Sequence, residues 1–507
     1  AAAIYGSRAA NGVVLITTKK GKAGKTQVNF NYYTGFGQKA GNKLTPISGA
    51  EETKLLQEMV INRYGVYNSA GGLTTPGFGT GTSVWASAAD AAAWFWQSDS
   101  NAGVNAGGQL YTIESATSKA RGIRTVAAFQ DPSLANNTNW QNLIFRDAPI
   151  SQYDISARGG NEKTTFFVSG SLFDQKGIIL GSDYKRLVGR INLEHQISKR
   201  VKTGAQMAYT RSLQNRINND NNIYGVLSTA VLLASDVPAY NADGTYGKDP
   251  LSSVESPLLA AIENYNKVNN SRVNANLGAE YQFIPQLSLK VNLGADYVAL
   301  NEARFYPSIS NAGAGVKGQA TEAYNKSMNL VNENILSYKQ SFGDHDLNAI
   351  AVASYQTQKF ESLYALAENF PGNSIKRLSA GSVKKDASSS GSAFGIIGYV
   401  GRVNYGYKGK YLLSGSVRRD GTSNLGAEKR WGTFPAVSAA WRFSDEGFMR
   451  NLKFLNNGKI RGSHGVSGSN SGSNFGSLPL ISPGANYLTS AGLAPSQLGN
   501  PSLGWET

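Results

Sequence analysis

The sequence of 507 residues contains no cysteine. That excludes a disulfide scaffold, a zinc ribbon and a thiol enzyme. Charge is scarce: 16% of residues are charged, against about 25% in an average soluble domain. No run approaches the roughly 18 consecutive apolar residues of a transmembrane helix. There is no G-x-S-x-G nucleophile elbow. There is also no initiating Met and no signal peptide; the chain opens Ala1-Ala2-Ala3-Ile4 and stops in what reads as the start of a strand. Present instead are 57 glycines, 41% hydrophobic residues and 10% aromatics, so global disorder is not expected. Mean hydropathy is −0.30. A transmembrane β-barrel is compatible with that value, because its strands average one apolar face with one wet face.

The dominant pattern has period two. Over 273–283, Val273, Ala275, Leu277, Ala279, Tyr281 and Phe283 alternate with Asn274, Asn276, Gly278, Glu280 and Gln282. Strict alternation argues a strand with one apolar face; a helix would space apolar residues three and four apart. The same criterion predicts about thirteen strands, near 27–36, 151–157, 165–173, 184–194, 201–210, 271–283, 287–299, 328–340, 346–359, 396–407, 410–418, 435–443 and 459–467. The longest match the ~9–11 residues that a tilted strand needs to cross a bilayer. Connections alternate between short turns, such as Ile284-Pro285-Gln286 and Lys408-Gly409, and long segments near 37–150, 211–270, 300–327, 360–395 and 468–504. Up-and-down outer-membrane barrels show this asymmetry, with short periplasmic turns and long extracellular loops. The fold expected is therefore an all-β, antiparallel, up-and-down transmembrane barrel. Short helices are expected inside the loops. Ser48-Gly49-Ala50-Glu51 has capping-box spacing, and Ser256-Pro257 places proline at a first helical position.

No catalytic or metal constellation emerges, and no cofactor is expected. His195, His345 and His464 lie far apart along the chain. Asp344-His345-Asp346 falls in a short turn, where Asp is at home without any ligand. In Gly35-Phe36-Gly37-Gln38-Lys39-Ala40-Gly41 the third glycine comes one position too late for a nucleotide loop. Asn241-Ala242-Asp243-Gly244 fails calcium-loop spacing, with Ala239 and Pro250 at the first and last ligand positions, and reads as a hairpin tip. The net charge of +15 comes from 49 Lys+Arg against 34 Asp+Glu, scattered over many segments. Scattered charge reads as solvated faces, not as a nucleic-acid interface. The concentrated feature is aromatic: Trp85, Trp94, Trp96 and Trp140 fall in the first long segment. They are the candidate contacts to a ligand or partner, because an aromatic face offers broad apolar contact with a polar handle.

Several longer motifs resemble one family. AAAIYGSRAANGVVLITTKKGK, residues 1–22, resembles the end of the plug domain of SusC/RagA-type TonB-linked outer-membrane proteins, and VNFNYYTGFGQ resembles that family's first barrel strand. GGNEKTTFFVSGSLFDQKGIILGSDYKRLVGRINLEH, RVNYGYKGKYLLSGSVRRDGTSNLG, RWGTFPAVSAAWRFSDEGFM and NPSLGWET extend the likeness over nearly the whole chain. The resemblance implies a 22-stranded barrel with an N-terminal plug in its lumen. It implies import of oligosaccharides or peptides, a SusD-like surface lipoprotein as lid, and energy supplied through TonB, ExbB and ExbD. No enzymatic activity is implied. Gly6, Arg8, Asn11 and Gly12 belong to the plug motif, with a structural role. By this reading residues 1–22 end the plug, residues 23–507 form the early and middle barrel, and the chain is a fragment that cannot close the barrel or transport alone. The open sheet should then carry residues 1–22 on its inner side. The rival function is a non-transporting outer-membrane adhesin, which has no need of a plug.

Overall fold

In the computed structural model, the described residues are 19–41, 44–55, 133, 135–218, 222–248, 254–449, 457–470, 473–488 and 490–506, with three two-residue strands between 66 and 85. The plug-motif positions Gly6, Arg8, Asn11 and Gly12 lie outside them. All thirteen expected strands are present. We number them β1 (Gly24–Gly37), β2 (Ala148–Gly160), β3 (Thr164–Lys176), β4 (Asp183–Ser198), β5 (Val201–Asn215), β6 (Tyr265–Ile284), β7 (Leu287–Tyr306), β8 (Gln319–Phe342), β9 (His345–Glu368), β10 (Val383–Tyr407), β11 (Tyr411–Thr422), β12 (Trp431–Trp441) and β13 (Ile460–Gly465). They form one sheet in chain order, every neighbouring pair antiparallel. Among the described residues the sheet is open, with β1 and β13 as its two edges.

Connections sort by length between the two ends of the sheet. At one end lie residues 161–163, 199–200, 285–286, 343–344 and 408–410. Gly343 takes φ +57, and Lys408 and Gly409 take φ 54 and 64, the positive values that tight hairpins require. The exception at this end is the connection from β12 to β13, which carries 3₁₀ turns at Phe443–Asp445 and Gly447–Met449. The opposite end carries the long connections.

The register assigns two faces. One carries Leu277, Leu293, Val403, Leu413, Val417 and Val437, each at least 48% exposed. The other carries Arg272, Asp296, Gln356, Arg402 and Arg418. Exposed apolar side chains in continuous rows fit hydrocarbon and not water. Aromatic rows close this apolar band at both ends. His345, Tyr407, Tyr411 and Trp441 form a row beside the short turns. Tyr355, Ile397 and Trp431 mark the other boundary. From position 407 to position 397, at ~3.3 Å per residue and a tilt of ~45°, the band is roughly 23 Å tall. That is close to the ~25 Å of outer-membrane barrels.

Several strands run well past this band at the long-loop end, and here the sequence reading was too short. The strand expected over 328–340 spans Gln319–Phe342, and the one over 396–407 spans Val383–Tyr407. Past the aromatic boundary Leu330 still continues the apolar face on β8, and further out charge appears on it, with Lys326 paired to Glu361. Alternation disappears there while the backbone ladder continues, so hydropathy marks the membrane boundary and not the strand end. The true connections are correspondingly shorter: 216–264, 307–318 and 369–382.

Candidate ligand-facing surface

The long-loop end builds a folded platform. Helix α1 (Trp140–Ile144), α2 (Val226–Leu232) and α3 (Pro257–Ile262) pack around Trp140, Ile144, Val226, Ala230, Leu233, Val237, Leu258 and Ala261. These helices are too short to persist alone, so the shared core holds them. Asn139 caps α1 by accepting from Asn142 N–H, and Pro257 opens α3 at its first turn, as its missing N–H allows. Residues 49–55 are helical. Their expected capping box is formed: Glu51 N–H donates to Ser48 Oγ at 3.2 Å, and Ser48 N–H donates to Glu51 Oε2 at 2.8 Å.

Connections from separate strand pairs are cross-tied. Ser235 N–H donates to Glu52 Oε2 (2.7 Å) and its hydroxyl to the Ile47 carbonyl (2.5 Å). Within the β1–β2 connection itself, Gln141 closes a two-way bond with the Leu44 backbone, at 3.2 and 2.9 Å. Arg146 donates to the Gly177 and Ser182 carbonyls and pins the β3–β4 turn. A second core, Phe305, Ala320, Ala367 and Phe370, fastens the β7–β8 and β9–β10 connections. Glu255 joins the two bodies: its buried carboxylate accepts the Asn311 N–H at 2.5 Å. Burial raises the Glu255 pKa, against the opposing pull of the Asn311 and Asn264 hydrogen bonds. Solvent still reaches Val231, Leu232 and Ile262 on this platform, each about half exposed.

The polar face of the sheet carries ion pairs. Arg272 donates to both oxygens of Asp296, at 2.8 and 2.7 Å. Arg216 pairs with Glu302 at 2.8 Å. Arg418 pairs with the enclosed Asp420 at 2.7 Å. Residues 19–22 cross this same face. Lys20 reaches Glu194 at 2.8 Å, and Asn192 donates to the Lys19 carbonyl at 2.6 Å. Gly21 lies against the Thr165–Phe166 backbone, where an added Cβ would sit 2.4 Å from Phe166 N. Residues 19–21, in the described part of the segment expected to end a plug, thus lie on the polar face of the sheet.

Trp140 is 2% exposed, and its indole donates to the Ala234 carbonyl at 2.9 Å. In this structure it is the keystone of the platform core and offers no surface to a ligand. Its position at the start of a short helix, with apolar residues at 143 and 144, was the available signal. Trp85 lies on a two-residue strand opposite Leu73; its side chain, and all of Trp94 and Trp96, lie outside the described residues. The Asp344-His345-Asp346 turn brings no ligands together. Asp344 faces Lys408 at 3.7 Å, Asp346 accepts from the Ser341 hydroxyl at 2.6 Å, and His345 meets Tyr405 Oη at 2.6 Å. Asn241–Thr245 is a hairpin tip, with Gly244 at φ +81 and Asp243 accepting from Thr245. Those bonds lower the Asp243 pKa. No cluster of three metal-ligating side chains occurs among the described residues.

No family model matches the chain. The chain is 28% identical over 520 residues to TonB-dependent receptor P3 of Formosa agariphila, covering 100% of this chain and 45% of that protein. It is 24% identical over 507 residues to TonB-dependent receptor SusC of Bacteroides thetaiotaomicron, covering 95% of this chain and 43% of that one. The chain thus spans a little under half the length of these curated relatives. The RagAB peptide importer in its closed–closed state superposes with a TM-score of 0.75 at 22% identity, over 99% of this chain and 54% of that chain. That likeness establishes a shared barrel fold.

Proposed function

We propose, from the premise that the chain is a TonB-dependent receptor of SusC/RagA type, that it forms part of the wall and mouth of an outer-membrane nutrient importer. The observation that carries this is the two-faced sheet: an apolar band of membrane height outside, ion pairs and amides inside, and a folded platform at one end only. A wall lined by Arg, Asp, Asn and Gln suits a hydrogen-bonding polymer, an oligosaccharide or a peptide. The half-exposed Val231, Leu232 and Ile262 suit contact with a SusD-like lid lipoprotein, since interface centres are apolar. Energy would reach the plug through TonB and its ExbB and ExbD partners. Trp85, Trp94 and Trp96 stay candidates for ligand or lid contact, whereas Trp140 would serve by holding the platform.

The test uses the full-length gene. Deleting it should abolish uptake of one class of labelled polymer, oligosaccharides or peptides, and uncoupling the proton gradient should have the same effect. Unchanged uptake of every polymer offered would refute the importer reading. A neighbouring surface lipoprotein that co-purifies with the receptor would support the lid, and its absence from purified receptor would count against it.

A further inference from the structure

The apolar face carries one charge that nothing on that face explains. Over β7 to β12, between the two aromatic rows, the register places only one ionisable group other than tyrosine or histidine on the outside: Arg419. Its neighbour Arg418 points to the polar face and pairs with Asp420. Arg419 is exposed, and its guanidinium lies over the Trp431 ring at 5.3 Å. Tyr399 stacks on the same indole, 6.2 Å between centroids. Among the described residues no carboxylate or carbonyl accepts from this guanidinium. A planar cation with its donors unused, at the edge of a hydrocarbon band, needs an acceptor from outside the chain.

Beneath Arg419 the outer surface is grooved. Two adjoining depressions of about 560 and 610 Å³ share Leu336, Ala351, Gly401 and Val417, and Arg419 and Thr433 line the end nearer the long loops. The floor is made of small residues on neighbouring strands: Ala349, Ala351, Gly401 and Gly415. Neither glycine is demanded by the backbone, since neither takes a positive φ. A Cβ at Gly415 would meet nothing within 4 Å, and one at Gly401 only the Val417 Cγ1 methyl, at 3.9 Å. The missing side chains therefore leave space without serving any close approach.

We propose that this groove is a specific site for a phosphate-bearing, acylated lipid of the membrane leaflet on the long-loop side. The guanidinium of Arg419 holds the phosphate in a bidentate fork, while an acyl chain lies over Gly415 and Gly401. Charge complementarity selects the occupant: an apolar segment of another protein would fill the groove and leave Arg419 without its anion. The site rests on the membrane reading above but not on transport.

The experiment uses full-length receptor purified in non-ionic detergent, mixed micelles containing dioleoyl phosphatidic acid or dioleoylglycerol, and native mass spectrometry of the retained lipid. The intact receptor should retain phosphatidic acid in preference to dioleoylglycerol. Arg419→Gln should lower phosphatidic acid retention about tenfold and erase the preference, and Arg419→Lys should restore part of both. Gly415→Leu should lower retention of both lipids while leaving heat-modifiable gel migration, the sign of a folded barrel, unchanged. Equal retention of the two lipids by the intact receptor, or phosphatidic acid held as well by Arg419→Gln, would overturn the site. A receptor that retains no lipid and fractionates outside the membrane would overturn the membrane reading with it.

Discussion

Replacing Trp140 by alanine should loosen the platform and spare the sheet. The indole is 2% exposed, packs with residues of α2 and α3, and donates to the Ala234 carbonyl at 2.9 Å. Truncating a buried tryptophan costs ~3–5 kcal/mol, of which the hydrogen bond accounts for about 1. At ~1.4 kcal/mol per factor of ten, opening of the platform should become roughly two to three and a half orders of magnitude more frequent. Hydrogen exchange of the full-length receptor in detergent reads this directly. Amides in 136–145, 226–237 and 257–262 should exchange faster, and those in β6 to β10 should not. Trp140→Phe, which keeps a ring and loses the N–H donor, should fall between. If α2 and α3 keep their protection in Trp140→Ala, the keystone role is wrong. If the whole sheet exchanges faster, platform and barrel are one cooperative unit and the local argument fails.

Two acids give opposite pH signatures. Glu446 accepts from Trp441 Nε1, Lys410 Nζ and Tyr411 Oη, which lowers its pKa to about 2. Its hold on the β12–β13 connection is complete above the ordinary glutamate pKa of ~4.3 and is lost as pH falls toward 2. Proteolysis of that connection by an acid protease should rise across this window, and Glu446→Gln should be insensitive to it. Burial raises the Glu255 pKa, so its support for the joint with Asn311 is full below the ordinary range and declines as pH rises through the elevated pKa. Exchange of 307–318 should accelerate with pH beyond the intrinsic trend, and Glu255→Gln, which keeps an acceptor for Asn311 N–H, should remove the excess. Gly21→Leu cannot keep its place against the Thr165–Phe166 backbone. Trypsin should then cut faster after Lys19, Lys20 and Lys22 in the full-length receptor; an unchanged rate would mean that the contact is not maintained in solution.

The sheet was legible because one face must meet hydrocarbon, and alternation records that demand residue by residue. Strand ends were not, because beyond the band both faces are wet and Glu322, Tyr324 and Lys326 no longer stand out from a loop. Trp140 was visible as an aromatic in a loop but not as a buried one: its packing partners at 226–237 and 258–261 are remote in sequence. Arg419 left a trace that is plain once the register is known. Two adjacent arginines in an alternating strand cannot both face the lumen, so one of them must stand on the apolar side. The groove beneath it left none, since Gly401 and Gly415 look like any of the 57 glycines.

The strands that outrun the apolar band also set a height. On β8 the outward face stays apolar through Leu330 and Met328 and turns charged at Lys326, which pairs with Glu361; from Lys326 to Gln319 the strand rises ~16 Å at the same rise and tilt. The long-loop edge of the sheet therefore stands clear of the lipid surface by about half the thickness of the hydrocarbon. If the chain takes up polymers, as proposed, those too bulky or too anchored to approach the headgroups can still meet this edge. Any lid seated there works above the crowded surface layer, on a stiff β-collar whose position does not depend on loop order.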